Sequence, residues 1–193
     1  MAATRVGVAE ASAHILAGAR VLGSEPVVLR DALGRVLAQD VESPVSLPPW
    51  DNSSMDGFAV RADDVRGATG EAPVRLRVVE TIAAGRRGTR TIGARDAARI
   101  MTGAPMPAGA DSVIRVEDTD GARESDVVSI RDDRDATRNV RPRGEDVRAG
   151  TVVLRAGTPL GAAHIGVLSS VGCALPLVHR RPRVAILATG DAG

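Results

Sequence analysis

Residues 48–60 read PPWDNSSMDGFAV and include the chain's single tryptophan, Trp50, and its single phenylalanine, Phe58. Two leading prolines fix the backbone and exclude a helix at this point. The Asp-Asn-Ser-Ser run favours a turn or a cap, because such side chains bond their own backbone. An Asp-Gly turn dipeptide then leads into an alternating strand that starts at Phe58. The stretch therefore predicts a tight acidic loop that presents Asp51 and Asp56.

The composition indicates a folded, soluble protein with one large or two small domains. The chain has 193 residues, of which 44% are hydrophobic and 25% charged. Aromatic residues make up only 1%, so the core must be aliphatic. The net charge of +1 argues against a general attraction to nucleic acid. No lysine occurs, so all 25 basic residues are arginine, and a single arginine cluster carries less information.

Cysteine usage and hydropathy predict a cytoplasmic location. The only cysteine, Cys173, has no partner for an internal disulfide and lies among apolar residues, which favours a packed thiol. The N-terminus lacks the basic and apolar regions of a signal peptide. No apolar run reaches the ~18–20 residues that a membrane span needs. We expect neither a membrane nor a nucleic acid as partner.

The order of patterns along the chain predicts helical parts at both ends and short strands between them. This spacing favours a small antiparallel barrel or sandwich inserted between the helical parts. The charged run RDDRD at 131–135 is predicted to be a solvated loop. The predicted helices cover 8–22, 32–38 and 158–171, and the predicted strands cover 26–29, 58–60, 74–82, 113–117, 127–130 and 152–154.

The last stretch, RVAILATGDAG, predicts the start of a further domain. Residues 184–188 form an uninterrupted apolar run, which is typical of a parallel strand covered on both faces. Such a strand needs a crossover connection and a second parallel strand. We therefore expect this chain to be the N-terminal fragment of a longer protein.

Two blocks could carry chemistry in glycine-containing loops. Asp51 and Asp56 could bind a hard cation, act as acid or base, or only cap backbone amides. In the second block, MTGAPMPAGAD at 101–111, Thr102 and Gly103 could offer a hydroxyl and backbone N–H groups to an anion. The alternative is a plain loop that joins two strands.

The third block, RNVRPRGEDVRAG at 138–150, combines arginines with acidic residues. Arg141 and Arg143 flank a proline, and their guanidinium groups suit a phosphate or another tetrahedral oxyanion. Glu145 and Asp146 follow directly, so the block fits nucleic acid poorly, and a solvated ion-pair cluster is the alternative. The chain contains no Walker P-loop, HExxH, paired CxxC or GxSxG motif.

In this order and spacing, the blocks PPWDNSSMDGFAV, RIMTGAPMPAGAD, NVRPRGEDVRAGT and VAILATGD resemble the bacterial molybdopterin molybdenumtransferases. These are the MoeA-type molybdenum insertases, which are related to the E domain of gephyrin. The resemblance covers essentially the whole chain. It implies a transferase of molybdenum cofactor biosynthesis that inserts molybdenum from molybdate into adenylylated molybdopterin and releases AMP. It also implies Mg²⁺ as cofactor, a cytoplasmic homodimer and molybdopterin adenylyltransferase as the upstream supplier.

The resemblance further implies a mixed α+β fold in discontinuous pieces. An elongated helical and extended domain I would take 1–47 and 140–182, and a β-rich, barrel-like domain II would take 48–139. The start of the pterin-binding α/β domain III would take 183–193. Because the rest of domain III is absent from this chain, we expect the fragment itself to be inactive.

Residue by residue, the resemblance implies a site shared across the dimer. The catalytic residues would be Asp56 of the MDG motif, Thr102 of the MTG motif and Asp146 of the RxRGED motif. Asp56 and Asp146 would also hold the magnesium ion or receive protons as oxo groups leave as water. The anion-binding residues would be Arg141, Arg143, Gly103 and Asp191.

One departure from the family pattern lies at the end of the chain. Family members usually read TGDEL, whereas Asp191 is here followed by Ala192 and Gly193. Either truncation altered the end or this member lacks the glutamate. Two further interpretations stay open, a non-catalytic dimerisation or scaffold module of the same fold and a free-standing oxyanion-binding module.

Overall fold

A computed structural model describes residues 6–122 and 126–186, and their contacts form two compact units. The first unit draws on 1–42 and 152–193, and the second is the continuous span 43–151. No helix in the described ranges is long and apolar enough to cross a membrane. In chain order the elements are α1 Val8–Ala17, β1 Ser24–Pro26, α2 Leu29–Ala32, β2 Val41–Glu42, β3 Asn52–Ser53, β4 Gly57–Val60, α3 Ala62–Val65, β5 Val74–Ile82, β6 Asp96–Ile100, β7 Ser112–Arg115, a 3-10 turn Val116–Asp118, β8 Val127–Ile130, β9 Val140–Arg141, β10 Val152–Leu154, α4 Ala162–Ser170 and β11 Leu177–His179.

The first unit consists of two antiparallel strand pairs and short helices. β1 pairs with β11, β2 pairs with β10, and α2 lies against α4. Strand β10 has the predicted bounds. Apart from Arg35, whose guanidinium donates to Glu25, the buried side chains of this unit are aliphatic, as the composition predicts: Ala32, Leu37, Val41, Leu160, Leu168, Val171 and Val178.

The helices of the first unit are shorter than predicted. α1 ends at Ala17 because Gly18 follows, and none of its residues is buried. The second predicted helix, 32–38, is wrong: α2 ends at Ala32, and Gly34 adopts a left-handed φ of 74°. Beyond it, the N–H of Leu37 donates to the carbonyl of Thr158, so this stretch forms extended contacts instead.

Two predictions near the C-terminal end also need correction. The predicted helix 158–171 begins only at Ala162, because the N–H of Leu160 donates to the carbonyl of Arg35. In the predicted strand 184–188, residues 184–186 lie in no regular element and are exposed. A strand buried on both faces requires partners, and no described residue pairs with 184–186. Residues 187–193 lie outside the described ranges.

The second unit is built on a five-stranded sheet in the order β7-β4-β6-β5-β8. Strands β5 and β8 have the predicted bounds, and β4 starts one residue before the predicted strand. The prediction of a purely antiparallel sheet is wrong, because β5 and β6 pair in parallel. The connection over 83–95 is long enough to bring the chain back to the starting end of β5, as parallel pairing requires. A short hairpin would have imposed antiparallel pairing.

Both faces of this curled mixed sheet are covered by side chains. All four residues of β4, which lies between β7 and β6, are buried. Because side chains alternate along a strand, Phe58 and Ala59 belong to different apolar clusters. Phe58 packs with Leu76, Ile114 and other aliphatic residues, and it is fully buried. The unit is therefore anchored on the strand that begins directly after Asp56.

The observed units group the chain differently from the predicted domain boundaries. The range 48–139 lies inside the second unit, and that unit also includes 43–47 and 140–151. Strand β9 pairs with β3, and the N–H of Leu47 donates to the carbonyl of Val147 at 2.7 Å. Backbone pairing thus joins the arginine-containing block to the unit that holds the other two blocks.

Candidate functional site

The three sequence blocks that were expected to carry chemistry lie side by side in the second unit. At the centre is β3, in which Asn52 faces Arg141 across the strand pair with β9. On the other side, the N–H of Ser53 donates to the carbonyl of Ala104, and the N–H of Gly103 donates to the carbonyl of Ser53. The opening block therefore lies between the MTG block and the RPRGED block.

Asp56 and Thr102 form the tightest contact between two predicted site residues. One carboxylate oxygen of Asp56, Oδ1, accepts both the backbone N–H and the hydroxyl of Thr102, each at 2.7 Å. These hydrogen bonds, first from the backbone and then from the side chain, lower the pKa of Asp56. Both residues are exposed. The pair thus presents an ionised carboxylate with its second oxygen free for a ligand.

Local hydrogen bonds hold the loop before Asp56 in shape. The hydroxyl of Ser53 donates to the carbonyl of Met55 and accepts the N–H of the same residue. The carbonyl of Asp56 accepts the N–H of Val116 at 3.0 Å. Asp51 accepts the backbone N–H of Arg143 at 2.7 Å, so this carboxylate caps a backbone amide, one of the three roles considered for it. The loop is therefore bonded to itself, to the 3-10 turn after β7 and to the RPRGED block.

The MTG turn does not offer free backbone donors. The N–H of Thr102 is held by Asp56, and the N–H of Gly103 donates to Ser53 at 2.8 Å. Gly103 is exposed and has a φ of 81°, which explains the glycine at this turn. The expected anion contact through these two N–H groups is not available in this conformation.

Arg141 is engaged by the acidic residues that follow it. Its Nε donates to Glu145 at 2.6 Å, and its Nη2 donates to both oxygens of Asp146 at 2.7 and 2.9 Å. Glu145 and Asp146 raise the pKa of Arg141. The side chain of Arg143 is exposed and makes no ion pair within 6–122 and 126–186. No hydrogen bond in these ranges joins this cluster to the Asp56–Thr102 pair, and Asp191 lies outside them.

Asp56 and Thr102 border a cavity of about 500 Å³ within the second unit. Its remaining lining residues were not predicted from the sequence: Met55, Arg115, Glu117, Asp118 and Arg134. Arg115 lies at the end of β7 and faces Gly57 across the strand pair with β4. The sheet thereby places an arginine next to the residue that follows Asp56.

A buried carboxylate holds Arg115 in the wall of this cavity. Asp135 is 1% exposed and accepts Nε of Arg115 at 2.7 Å and Nη2 at 2.9 Å. Arg115, mainly through these hydrogen bonds, lowers the pKa of Asp135, and Asp135 in turn raises the pKa of Arg115. The prediction that 131–135 is a solvated loop is therefore wrong at its last residue, because a two-point contact with an arginine compensates the burial.

Asp118 forms a second ionic contact in the same wall. Its Oδ1 accepts Nη2 of Arg134 at 2.8 Å. Its Oδ2 lies 3.6 Å from Nε of Arg115 but is buried without a hydrogen-bond partner among the described residues. No sequence pattern pointed to a site role for Asp118. Arg134 belongs to the RDDRD run, which was predicted to be a solvated loop.

A second polar cavity, of about 450 Å³, lies near Trp50. The guanidinium of Arg87 is 4.9 Å from the centroid of the Trp50 ring, a cation–π contact. Met106 joins the same region through its N–H, which donates to the carbonyl of Asp51. The tryptophan thus connects the opening block to the loop after β5 and to the MTG block.

The described residues do not form a complete metal centre. Within 6–122 and 126–186, no group of three or more His, Cys, Asp or Glu residues could hold a metal ion. Asp56 fits a magnesium site that uses one carboxylate, with water and substrate phosphates as the other ligands. Asp146 does not fit in this conformation, because Arg141 occupies both of its oxygens.

Comparison with known proteins identifies the class to which this unit and its site belong. Residues 6–172 match the family described as MoeA N-terminal region (domain I and II). The chain therefore belongs to the MoeA N-terminal family.

Relatives of full length carry a more specific name. The chain is 47% identical over 165 residues to molybdopterin molybdenumtransferase 2 of Mycobacterium tuberculosis, which covers 86% of the chain and 40% of the relative. It is 45% identical over 168 residues to molybdopterin molybdenumtransferase of a Nostoc species, which covers 87% of the chain and 38% of the relative. The chain thus spans about two fifths of the length of these relatives.

Solved structures agree with this assignment. A crystal structure of the molybdopterin biosynthesis moeA protein from Pyrococcus horikoshii superposes with a TM-score of 0.77 and 34% identity, over 92% of this chain and 45% of that one. A second structure of the protein gives a TM-score of 0.75 at 35% identity, over 80% and 40% of the two chains.

Proposed function

We propose that this chain is the N-terminal part of a molybdopterin molybdenumtransferase. The full-length protein would insert molybdenum from molybdate into adenylylated molybdopterin and release AMP. It would act as a cytoplasmic homodimer, supplied by molybdopterin adenylyltransferase. The names and identities of the relatives support the molybdenum cofactor pathway and the transferase class.

The observation that carries the proposal is the Asp56–Thr102 pair beside an open cavity. A carboxylate with a lowered pKa stays ionised near neutral pH and is a weak base, so it suits binding a cation or relaying a proton, and does not suit holding one. Thr102 fixes the orientation of this carboxylate through two hydrogen bonds. Preorganised groups of this kind act on developing charge without reorganising during the reaction.

The charges that line the cavity suit a substrate with both anionic groups and N–H donors. Arg115 and Arg134 line the cavity, but each is already paired with a carboxylate, so they would offset phosphate or molybdate charge only in part. The carboxylates of the lining can accept from N–H groups. Arg141 would take part only after releasing Asp146 or Glu145, because their contacts now neutralise it. Arg143 is exposed, and its guanidinium is available for an anion.

Magnesium enters the proposal through Asp56 alone. The ion would supply positive charge between the carboxylate and substrate phosphates, and Asp56 would contribute one oxygen ligand. The chain's own side chains would orient the substrate and move protons at molybdate. Two Mo–S bonds would form as the two thiols of molybdopterin lose their protons. Asp56 would relay these two protons to an oxo group of molybdate, which leaves as water, and Thr102 would hold the carboxylate in position.

The test uses full-length protein from the same gene and measures AMP release and molybdenum insertion. Asp56→Asn should abolish both activities and leave the sedimentation coefficient of the dimer unchanged, and Asp146→Asn tests whether the carboxylate paired with Arg141 is also required. Asp63→Asn is the matched control, because Asp63 is an exposed carboxylate outside the cavity, paired with Arg66. Full activity in either site variant would remove that residue from the proposed machinery.

A second arm tests the 193-residue chain alone. We expect it to insert no molybdenum, because it spans only about two fifths of the length of the relatives that carry the transferase name. Insertion by the isolated chain would contradict this part of the proposal. Sedimentation of the same sample shows whether the chain forms a dimer.

A further inference from the structure

A further cavity, of about 750 Å³, lies in the first unit at one end of the β1–β11 strand pair. Ser24 faces His179 in this pair, and the N–H of Arg180 donates to the carbonyl of Gly23 at 2.8 Å. Backbone pairing thus continues one residue beyond the strands and fixes the start of the stretch 180–183, which lines the cavity.

The charged residues that line this cavity are four arginines and one glutamate. Three of the arginines, Arg180, Arg181 and Arg183, are exposed, and their side chains form no ion pair or hydrogen bond within 6–122 and 126–186. Because unpaired cations that share a cavity repel one another, an anion between them lowers the free energy of the arrangement.

The fourth arginine, Arg35, distinguishes this cavity from a solvated arginine cluster. It is 8% exposed, and its Nη2 donates to Glu25 at 2.6 Å and to the carbonyl of His179 at 2.7 Å. Its Nε and Nη1 have no hydrogen-bond partner among the described residues, yet neither atom is fully enclosed. A guanidinium that is held in place therefore keeps donors open to a ligand, and leaving them without one costs free energy.

Glu25 restricts which anion fits between the arginines. Its Oε1 accepts from Arg35, whereas its Oε2 has no partner among the described residues, and the side chain is 41% exposed. This acceptor repels an oxyanion that has no proton, such as sulfate or molybdate at neutral pH. Inorganic phosphate keeps at least one P–O–H group at neutral pH, so it can donate to the carboxylate while its other oxygens accept from the arginines.

We propose that this cavity binds inorganic phosphate, with the four arginines as donors and Glu25 as acceptor of the phosphate proton. The proposal does not depend on molybdenum transfer, because every group in it belongs to the first unit, whereas Asp56 and Thr102 lie in the second. Hydrogen bonds to charged groups are among the stronger ones, so Kd for phosphate should be about tenfold or more below Kd for sulfate and molybdate.

The test titrates the 193-residue chain at pH 7 and constant ionic strength with phosphate, sulfate and molybdate, followed by ¹H–¹⁵N NMR. We expect phosphate to shift the amides of Glu25, Arg180 and Arg181 with the stated preference. The amide of Thr102, in the second unit, reports separately on any molybdate bound there. Methyl phosphate, most of which has no P–O–H group at this pH, should bind more weakly than phosphate at the cavity.

The role of the carboxylate is tested by Glu25→Gln. This change keeps an oxygen that can accept from Arg35 but removes the negative charge, so the preference for phosphate over sulfate should disappear. Glu42→Gln is the matched control, because Glu42 is an exposed carboxylate of the same unit outside the cavity lining, and it should keep the preference.

The role of the arginines is tested by Arg183→Gln, which should weaken phosphate binding severalfold. Arg155→Gln is the matched control, because Arg155 is exposed, pairs with Asp40 at 3.6 Å and is outside the cavity lining. Phosphate binding should be unchanged in this control.

Several results would overturn the inference. Equal Kd values for phosphate and sulfate on the wild-type chain, or no shift at the amides of the cavity, refute it without any variant, so a misfolded variant does not prevent the test. Tighter binding of molybdate or methyl phosphate than of phosphate at these amides refutes it as well, and so does a preference that survives in Glu25→Gln. Calorimetric titration of the full-length protein should give the same preference for phosphate over sulfate, and its absence there would also count against the site.

Discussion

Replacing Gly57 by alanine should separate two strands at the residue next to Asp56. A Cβ built on Gly57 would lie 2.0 Å from the carbonyl oxygen of Ile114, whereas ordinary contact begins at 3.4 Å. The clash is with backbone on the paired strand β7, so no side-chain rotation can relieve it. The strands would have to move apart where β4 begins.

The expected cost combines strain and lost hydrogen bonds. Overpacking in a close-packed region costs about 1–3 kcal/mol. Separation would also weaken a ladder bond and the bond from Val116 to the carbonyl of Asp56, at about 1 kcal/mol each. We therefore expect the free energy of unfolding of the second unit to fall by about 3–5 kcal/mol, a large part of the roughly 5–15 kcal/mol that stabilises a domain.

Urea denaturation followed by tryptophan fluorescence measures this loss. Trp50 is the only tryptophan and lies in the second unit, so its emission reports on that unit. With a typical urea slope, the midpoint should fall by about 2 M.

The matched control for this measurement is Gly70→Ala. A Cβ at Gly70 meets nothing within 4 Å, and Gly70 has no left-handed φ. The change should leave stability unchanged or raise it by less than about 1 kcal/mol. Equal midpoints for Gly57→Ala and Gly70→Ala would refute the reasoning from strand proximity.

Two further predictions concern titration. Thr102→Val removes the hydroxyl donor, so the pKa of Asp56 should rise toward its ordinary value and stay below it, because the backbone N–H remains. NMR titration of the carboxyl groups measures this pKa. Thr102→Ser keeps the hydroxyl and should keep the low pKa. Because Arg115 lowers the pKa of Asp135, that carboxylate stabilises the fold at pH values above 3.8, its pKa in the unfolded chain. This stability is lost as the pH falls through the lower pKa of the folded state. Asp135→Asn should therefore lower stability at pH 7 and flatten its decline below about pH 4 in acid denaturation followed by fluorescence, and a decline as steep as that of the wild type would contradict this.

Elements with strong local patterns could be predicted from the sequence. Strands β5, β8 and β10 have their predicted bounds, because alternating or β-branched residues flanked by turn residues specify a strand locally. The short helices were misjudged at their ends. The left-handed turn at Gly34 and the long-range bond of Leu160 override helical periodicity there.

The candidate site was predictable in its residues and only partly in its contacts. Asp56 and Thr102 were expected from their motifs, and the fold brings them within hydrogen-bond distance across 46 positions of sequence. Arg141 was expected to offset anionic charge, yet Glu145 and Asp146 engage it. Neighbours four and five positions away can pair or not according to the local turn, which composition does not specify.

The family, the aliphatic core and the positions of the motif blocks could be predicted from the chain alone, because these depend on residue identity and spacing. The pairing of the charges depends on the folded arrangement. Asp135 belongs to a run that reads as solvated, but the sheet buries it against Arg115, 20 positions earlier. Pairing and burial depend on which strands become neighbours, and that is set by packing of the whole unit. The loop at Asp56 thereby gains a cavity wall that no stretch of sequence encodes alone.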